Sequence, residues 1–494
     1  MTPRDGESRA PVLDVAVVGA GPAGLATAYA LAEQGRKVRV LEAAEAVGGR
    51  MRTVREHGCL IDTGAEMFPG RAGYPETWRL IADLGLDRDP AAVPDVRDAL
   101  AVWRDGRARP NAGRPLGLLT GAGLRPRARI DLVRLQARLA RLARLGGLDP
   151  DRPERAGIAE DTVAALVRPY HPDLYDYLVH PLAAGFFGWN PERSAAAPFA
   201  AHLAACGGSH TWHTYRDGMD TLARALAGRL DVTTGHPVTR VTRDGRFVRV
   251  ESPRGTVTAR AVVLAVPAPV AAGLYDEPRP DAREFLAECG FTPMLRVSLV
   301  LDAPPAPGRT RPSFATLIPE AEDALLNVMT LDHRKHPGRA PRGRGLVSLI
   351  ASPRGCRELL DAPDRAVAER LIASAGRFVP GLRAEPSHVL VHRFRHGLPE
   401  ATPLALRLRG AFADRPVAAV EYAGDWVPLR PCSEGAVASA ALAAERIQTY
   451  LSSNVRCLSG TAPAATRETA TRETATRETA GLAAAPDPRS PDQR

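Results

Sequence analysis

A glycine-rich turn between an apolar run and a helical pattern is the feature that most constrains this chain of 494 residues. The apolar run Leu13 to Val18 predicts a short buried strand, and Gly-Ala-Gly-Pro-Ala-Gly follows it directly. A helical pattern then extends to about Gln34, and a second strand is expected to end at Glu42. In a strand–turn–helix–strand unit of about 30 residues, a GxGxxG pattern indicates dinucleotide binding.

Each glycine of the turn has its own physical role. Gly19 allows the tight turn, Gly21 lets the backbone approach a pyrophosphate, and Gly24 lets helix and strand pack closely. The N-terminus of the helix offers free N–H groups and a positive dipole end to the phosphates. Glu42 is placed to accept both hydroxyls of an adenosine ribose, and its charge would repel the 2′-phosphate of NADP.

Two further motifs extend the site and favour FAD. A second glycine pair ending at Gly49 precedes Arg50, whose planar guanidinium is suited to neutralising a pyrophosphate. Near the C-terminus, Asp425 follows Gly424 and is placed to accept hydroxyls of a ribityl chain. The helix that starts near Gly435 would aim N–H groups at the N1–C2=O edge of a flavin, where negative charge develops on reduction. Because nicotinamide gains no anionic edge, this second helix favours FAD over NAD.

These motifs resemble those of the flavin-containing amine oxidase superfamily, which includes protoporphyrinogen oxidases and phytoene-type desaturases. The resemblance spans about Val12 to Ile447. It implies a two-domain flavoprotein with a discontinuous, Rossmann-like α/β domain for FAD and a mixed α+β substrate domain. FAD is expected to be held non-covalently, although Cys432 lies close to the expected flavin ring. The predicted cofactor-binding residues are Gly19, Gly21, Gly24, Glu42, Gly49, Arg50, Val238, Gly424, Asp425, Glu434, Gly435 and Ala436.

The order of strand and helix patterns predicts how the domains are assembled. Similar strand-and-helix material occurs at the start, in the middle and at the end of the chain. The FAD-binding domain is therefore assigned to residues 12–70, 216–285 and 412–452, and the substrate domain to 71–215 and 286–411. Residues 454–494 contain Thr-Arg-Glu-Thr-Ala three times and no large apolar residue beyond Leu482, which predicts a disordered tail.

The middle of the chain favours the protoporphyrinogen oxidase and desaturase branch of the superfamily. The segments that carry this resemblance are Asp176 to Gly185, Asn190 to Ser194, Arg216 to Leu222 and His392 to Pro399. Amine oxidases usually carry a lysine that holds a water at flavin N5. The corresponding segment here, Phe291 to Val300, offers Arg296 instead, and neither lysine of this chain is expected nearby.

The expected reaction is removal of hydride from a C–H (or C–N) bond of an apolar or conjugated small molecule. A porphyrinogen, a polyprenoid or a specialised metabolite resembling them fits this description, with oxygen as the expected electron acceptor. An amine or amino-acid oxidase is one alternative, favoured if Arg296 or another arginine binds a substrate carboxylate. A non-redox flavoenzyme such as an isomerase, and a binding scaffold without flavin, are the others.

Aromatic residues in the predicted insertions are candidates for a substrate pocket. The pocket candidates are Phe186, Phe187, Trp189 and Trp426, and the catalytic candidates are His213, Tyr215 and Arg296. Ordinary core packing is the alternative for each aromatic residue. A lone histidine usually satisfies a local hydrogen bond rather than acting as a base.

Composition removes several other classes of protein. The net charge of +9 comes almost entirely from arginine, since Lys37 and Lys335 are the only lysines, and the arginines are spread along the chain. Without basic clusters interleaved with aromatic residues, a nucleic-acid partner is not expected. The six cysteines show neither CxxC nor Cys/His pairing, so no metal site is expected. We expect the cysteines to be free thiols in a reducing compartment.

A basic amphipathic pattern from 125 to 145 bears on localisation. Arg134, Arg138 and Arg141 fall on one helical face, and Leu132, Leu135, Leu139 and Leu142 fall on the opposite one. We expect a cytoplasmic protein in which this helix packs its leucines inward. The alternative is peripheral contact of residues 125–145 with an anionic membrane.

Overall fold

The computed structural model describes residues 12–306, 313–379, 382 and 386–458. The strands within these residues are β1 (Leu13–Val18), β2 (Val38–Leu41), β3 (Thr53–Glu56), β4 (Cys59–Asp62), β5 (Phe68–Pro69), β6 (Leu100–Arg104), β7 (Arg107–Pro110), β8 (Trp212–His213), β9 (Asp231–Thr233), β10 (Arg240–Asp244), β11 (Phe247–Ser252), β12 (Gly255–Leu264), β13 (Phe291–Leu301), β14 (Ala315–Leu317), β15 (Leu326–Leu331), β16 (Gly345–Ala351), β17 (His388–Pro399) and β18 (Val420–Tyr422).

Helices cover both sheets and connect their strands. They are α1 (Pro22–Glu33), α2 (Pro75–Asp83), α3 (Pro115–Thr120), α4 (Pro126–Arg144), α5 (Val163–Val167), α6 (Pro172–Leu174), α7 (His180–Phe187), α8 (Ala196–Cys206), α9 (Thr221–Ala227), α10 (Ala268–Leu274), α11 (Pro280–Glu288), α12 (Asp332–Lys335), α13 (Pro353–Leu359), α14 (Asp364–Ala375), α15 (Pro403–Ala413) and α16 (Ser433–Leu458). The mixed helix and sheet content is that of the α/β plus α+β flavoprotein expected from the sequence.

The first sheet has the strand order β10-β11-β12-β1-β2-β9, and β18 also pairs with β12. Strand β1 lies in its middle, parallel to β12 on one side and β2 on the other, with Val17 opposite both Val263 and Val40. Because both faces of β1 are covered, its residues form a continuous apolar run rather than an alternating pattern. The glycine-rich turn follows the carboxyl end of this central strand, which is where open α/β sheets bind ligands.

The second sheet has the strand order β17-β13-β16-β15-β14-β6-β7 and is antiparallel except for the pair β14–β6. Side chains of β13 alternate between its two faces. Leu295, Val297 and Leu299 are buried against α13 and α14. Met294 and Arg296 point to the opposite face, so this face carries the side chains that bear on the functional site.

The two sheets draw on different parts of the chain. Strands of the first come from 13–41, 231–264 and 420–422, and those of the second from 100–110 and 291–399. We propose that the two sheets are the centres of the two domains assigned above. By internal contacts the chain up to Ser452 is one compact unit, so these domains would share a continuous interior.

Several element boundaries differ from the sequence-based expectation. The helix expected from Gly435 to about Leu451 begins at Ser433 and continues to Leu458, five residues into the segment assigned to the tail. The remaining tail, 459–494, lies outside the described residues. The sequence from Asp217 to Leu230 has a helical pattern, but it forms a helix only from Thr221 to Ala227.

Candidate functional site

The glycine-rich turn leaves open space on one side only. A Cβ atom at Gly24 would lie 2.0 Å from the carbonyl oxygen of Gly19, and one at Gly19 would lie 2.6 Å from that of Ala265. A Cβ atom at Gly21 would meet no protein atom within 4 Å. Gly21 also precedes α1 without any side-chain cap, so the first N–H groups of α1 point to this open side. The turn therefore has the space and the donors that a pyrophosphate requires.

Glu42 holds its carboxylate beside the turn. Its Oε2 accepts a hydrogen bond from the Ala20 N–H at 2.6 Å, and its Oε1 accepts one from Ala44 at 2.9 Å. The carbonyl of Ala20 in turn accepts from the Gly48 N–H at 2.8 Å. These bonds bring the first glycine turn, the acid at the end of β2 and the second glycine pair into one place.

The second glycine pair and Val238 complete this end of the site. The φ angles of Gly48 and Gly49 are +110° and +52°, and a Cβ atom at Gly49 would lie 3.4 Å from the Cα of Gly21. Val238 is half-buried and follows His236, whose N–H donates to the Glu42 carbonyl at 2.7 Å. Val238 therefore lies on the Glu42 side, where the adenine end of a cofactor is expected.

Arg50 and Asp425 form a bidentate ion pair. Arg50 Nη1 and Nη2 donate to the two carboxylate oxygens of Asp425 at 2.8 and 2.7 Å, and Nη1 also donates to the Gly397 carbonyl. The sequence placed Arg50 at the pyrophosphate and Asp425 at the ribityl chain. The structure brings the two side chains together, so each orients the other where the middle of FAD is expected.

Glu434 has a structural role that the sequence did not reveal. Its Oε1 accepts from the Glu76 N–H at 2.9 Å and its Oε2 from the Thr77 N–H at 2.8 Å, so the carboxylate caps the first turn of α2. The neighbouring Gly435 has no room for a side chain, since a Cβ atom would lie 2.2 Å from the Arg430 carbonyl oxygen. Ala436 is buried within α16. Glu434 was predicted to bind the cofactor, but its carboxylate binds the backbone of α2 instead.

Six charged side chains form a buried set between β4 and the second sheet, which we call the ion set. Its members are Asp62, Glu66, Arg296, Asp332, Lys335 and Arg339. The Glu66 carboxylate contacts both Arg296 and Lys335. Lys335 Nζ lies 2.7 Å from Asp62, Arg339 lies 3.1 Å from Asp62, and Arg296 lies 3.2 Å from Asp332. Three negative and three positive charges leave the set formally neutral.

The pKa values in the ion set follow from burial and pairing together. Burial alone would raise the pKa of Asp62, but the charges of Lys335 and Arg339 outweigh it and lower the pKa to about 2. Burial dominates at Glu66 and raises its pKa despite the nearby cations. Burial opposes the charge of Arg296, yet Glu66 and Asp332 outweigh it and raise the pKa of this guanidinium.

Lys335 corrects one expectation from the sequence. Neither lysine was expected near Arg296, but Lys335 contacts the same carboxylate, that of Glu66, from the short helix α12. Glu66, Asp332 and Arg339 also belong to the ion set, and no local sequence pattern indicated them. The one signal for Lys335 was its rarity, since this arginine-rich chain uses lysine only twice.

His213 and Tyr215, the two catalytic candidates at the end of the first predicted insertion, do not belong to the ion set, although the Tyr215 carbonyl accepts a hydrogen bond from Arg339 at 2.9 Å. His213 is half-buried, 3.2 Å from Asp95, and burial lowers its pKa despite that carboxylate. Tyr215 is fully buried against Phe68, with ring centroids 4.8 Å apart, and burial raises its pKa. Its hydroxyl has no hydrogen-bond partner among the described residues. Neither residue touches Arg296, the third candidate.

Three of the four pocket candidates are core residues, and the fourth is half-buried. Phe187, Trp189 and Trp426 are buried in the main hydrophobic core. The indole N–H of Trp189 donates to the Pro399 carbonyl at 2.8 Å, and that of Trp426 to the Val266 carbonyl at 3.0 Å. This placement is core packing, which corrects their assignment to a pocket. Phe186 alone is half-buried.

Cys432 is half-buried and directly precedes α16. It accepts a hydrogen bond from the Gly435 N–H at 3.5 Å. Burial raises its pKa despite the nearby Arg430 guanidinium, which disfavours the nucleophilic thiolate. Its environment therefore fits FAD that is bound without a thioether.

Comparison with known proteins decides the family. The family of flavin containing amine oxidoreductases matches residues 22–448, most of the chain. The chain belongs to this family. Its members bind FAD, and the open side of Gly21, the Glu42 carboxylate and the Arg50–Asp425 pair fit that group. FAD is accordingly the cofactor of this chain.

Individual relatives span several activities within the family. Protoporphyrinogen oxidase 2 of Arabidopsis thaliana is 31% identical over 185 residues, 36% of this chain and 33% of that protein. Hydroxyneurosporene desaturase of Cereibacter sphaeroides is 38% identical over 92 residues, 19% of this chain and 18% of that protein. The matched segments thus span about a third or less of these curated relatives. Cyclohexylamine oxidase of Brevibacterium oxydans has the same fold, with a TM-score of 0.70, 18% identity, and coverage of 90% of this chain and 100% of that one.

Proposed function

We propose that this flavoenzyme removes hydride from a C–H (or C–N) bond of an apolar or conjugated small molecule and uses oxygen as the final electron acceptor. Porphyrinogen-like, polyprenoid-like and related specialised metabolites make up the substrate class. In this reaction the substrate loses two hydrogens and oxygen gains them as hydrogen peroxide.

The pairing of every cation in the ion set carries this proposal. Arg296 is only 3% exposed and contacts Glu66, Asp332 and Ser348, so its guanidinium has no face left for a substrate carboxylate. Lys335 and Arg339 are similarly committed to buried carboxylates. An amino-acid oxidase requires a cation that is free to pair with its substrate, and the ion set offers none.

Apolar side chains adjoin the ion set on the same side of the second sheet. Met67 directly follows Glu66, and Met294 lies two residues before Arg296 on the same face of β13. Phe186 and Trp212 pack edge to face with ring centroids 5.6 Å apart. These four residues and Tyr177 are all half-buried against one apolar cluster of the second sheet. We call them the apolar wall, and they supply the surface that a hydrophobic substrate needs.

The residues of the chain divide the work of binding and positioning. When bound, FAD supplies the acceptor for the hydride. Gly21 and the start of α1 bind its pyrophosphate, Glu42 binds its adenosine ribose, and Asp425, oriented by Arg50, binds its ribityl hydroxyls. The apolar wall orients the substrate and excludes water, and the ion set holds fixed charges that do not move during the reaction.

Lys335 favours oxidation of an amine as a second candidate function. Lys335 is buried beside Glu66, and lysine is the residue type that the amine oxidases use. In this chain, however, the lysine comes from a different element. An uncharged amine could enter along the apolar wall without requiring a free cation. This candidate differs from the first in the bond that is oxidised, C–N rather than C–H.

Product analysis distinguishes these functions. The purified holoenzyme is incubated in air with a porphyrinogen, a carotenoid precursor, primary amines and amino acids, and both peroxide and product mass are measured. We expect peroxide and a product two hydrogens lighter with a porphyrinogen or polyene. Peroxide with a deaminated product, from amines alone, would replace the proposal by its second candidate. A product of unchanged mass and no peroxide would identify an isomerase.

A pair of variants tests the apolar wall. Phe186→Ala should raise KM for an accepted apolar substrate because it removes part of the wall. Trp103→Ala is the matched control, since Trp103 is also half-buried but packs against Phe378 on the opposite face of the second sheet. An equal effect of both variants on KM would contradict the assignment of the wall.

A further inference from the structure

Exposed apolar side chains are concentrated in one segment of the protein. Ten large hydrophobic residues of the described part of the chain are exposed to solvent. Five of them lie between positions 116 and 145, in α3, in α4 or directly after α4. They are Leu116, Leu119, Ile130, Val133 and Leu145, and Leu119 and Leu145 are 78% and 74% exposed. Scattered single exposures are normal, but this concentration is not. We call the exposed residues of this segment the α3–α4 face.

The face is one continuous surface. Arg129 Nη1 donates to the carbonyls of Leu118 and Leu119, which ties the end of α3 to the first turn of α4. Ile130 and Val133 are one helical turn apart and point away from the core. The opposite side of α4 buries Leu135 and Leu139, as the sequence predicted for its leucines. The packed leucines therefore account for one side of α4 but leave the apolar residues of its other side unexplained.

The charge of this segment is strongly positive. Helix α4 contains six arginines and one acid, Asp131, which pairs with Arg134 at 3.0 Å. Arg138, Arg141 and Arg144 are exposed along its second half. Elsewhere on the protein many arginines pair with nearby carboxylates, for example Arg365 with Glu369 and Arg354 with Glu358. Here the guanidiniums outnumber the acids and alternate with apolar side chains.

We propose that the α3–α4 face binds an anionic lipid surface, with its arginines at the headgroups and its apolar side chains below them. Apolar residues next to unneutralised arginines match the two layers of a membrane interface, the anionic headgroups and the start of the acyl chains. The convex face of a single helix offers no groove for a peptide. Among the described residues, no helix combines the length and the apolar composition that spanning a bilayer requires. Such a contact would supply lipophilic substrates of the proposed kind, but it rests on its own observations.

Vesicle binding tests this inference without any substrate. Holoenzyme is sedimented with vesicles of phosphatidylcholine alone and of phosphatidylcholine mixed with phosphatidylglycerol. We expect affinity for the anionic vesicles to be at least about tenfold higher and to fall as salt is added. Equal binding to both vesicles, or binding to neither, would overturn the proposal. Binding to soluble polyglutamate but not to vesicles would assign the face to an acidic protein and would also overturn it.

Matched variants locate the contact. The triple variant Arg138→Glu/Arg141→Glu/Arg144→Glu should reduce anionic-vesicle binding at least about tenfold. The control is Arg354→Glu/Arg365→Glu/Arg370→Glu, which makes the same change in net charge on α13 and α14 and should not reduce binding. Leu119→Ser/Ile130→Ser/Val133→Ser should weaken binding, and Val389→Ser/Leu404→Ser/Leu442→Ser should not. Bound flavin and Tm verify that each variant is folded. Equal losses in either variant set and its control would overturn the proposal. Because no substrate is present, failure of the proposed reaction would leave this binding result intact.

Discussion

At the scale of the residue, Gly21 is where the fold leaves room for something outside the protein. The other two glycines of the motif have no room for a side chain, because a Cβ atom at Gly19 or Gly24 would collide with a backbone oxygen. Gly21 has a φ angle of −76°, which any residue adopts, and faces empty space. Nothing within the protein itself therefore requires glycine at position 21, and the requirement comes from the ligand.

Gly21→Ala should weaken FAD without weakening the protein. The added methyl group enters the space of the pyrophosphate, so the Kd for FAD should rise at least about tenfold, while the Tm of the apoprotein stays unchanged. Gly157→Ala is the matched control, since that position also has open space and no positive φ. FAD titration of apoprotein and thermal unfolding measure the two effects. An unchanged Kd, or a lowered apoprotein Tm, would contradict this role of Gly21.

Lys335 shows how much one buried charge depends on its partners. Lys335→Met should lower the free energy of unfolding by about 3–5 kcal/mol, because it removes one of the two cations that contact each of Asp62 and Glu66 and leaves the ion set with an uncompensated negative charge. Adding Glu66→Gln returns the ion set to neutrality and should recover part of this loss. Lys37→Met, at the other lysine of the chain, is exposed and should change stability by less than about 0.5 kcal/mol. A double-mutant cycle measured by denaturant unfolding tests this, and additive effects of Lys335→Met and Glu66→Gln would refute the coupling.

At the scale of the element, α16 links the cofactor site to the packing of α2. The sequence predicted that this helix starts near a flavin. It did not predict that Glu434 caps another helix. A carboxylate that caps a distant helix and one that binds a ligand have the same local sequence. Only the position of α2, set by tertiary packing, distinguishes the two roles.

Glu434→Ala should therefore destabilise the protein whether or not FAD is bound. Two N–H groups, the half-buried one of Glu76 and the buried one of Thr77, lose a charged acceptor, which costs about 1–3 kcal/mol. Glu445→Ala, at an exposed position of the same helix, serves as the control. Unfolding of the apoprotein is the measurement. A stable Glu434→Ala apoprotein with poor FAD affinity would instead assign Glu434 to the cofactor.

The elements that could be predicted are those with local signals. The glycine turn, the strands around it and the acid at the end of β2 follow one another closely, so their sequence specifies both structure and site. The ion set has no such signal, because Asp62, Glu66, Arg296 and Lys335 come from separate elements and meet only in the folded protein. Trp189 and Trp426 could not be assigned either, since aromatic residues in a core and in a pocket wall look alike in sequence.

At the scale of the whole molecule, buried histidines predict sensitivity to acid. Burial, together with positive neighbours, lowers the pKa of His392 to about 4 and that of His202 to about 3. The unfolded chain protonates its histidines near pH 6.5. The stability that these neutral histidines contribute is therefore complete above pH 6.5 and is lost as the pH falls toward 4 and 3.

Unfolding free energy measured from pH 8 to pH 4 tests this prediction. Each of the two histidines should contribute up to about 1.4 kcal/mol of lost stability per pH unit below 6.5. His392→Gln should reduce this slope, because glutamine does not take up a proton. A His392→Gln protein with the wild-type slope would show that His392 is already protonated in the folded state.

We propose that the bound flavin takes its electrons from an apolar substrate. Anaerobic addition of candidate substrates to the holoenzyme tests it most directly, because loss of the visible flavin absorbance reports hydride transfer without the oxygen step. We expect bleaching by a porphyrinogen or a polyene and none by amino acids, since every cation of the ion set is already paired. Bleaching by amino acids, with none by apolar compounds, would contradict it.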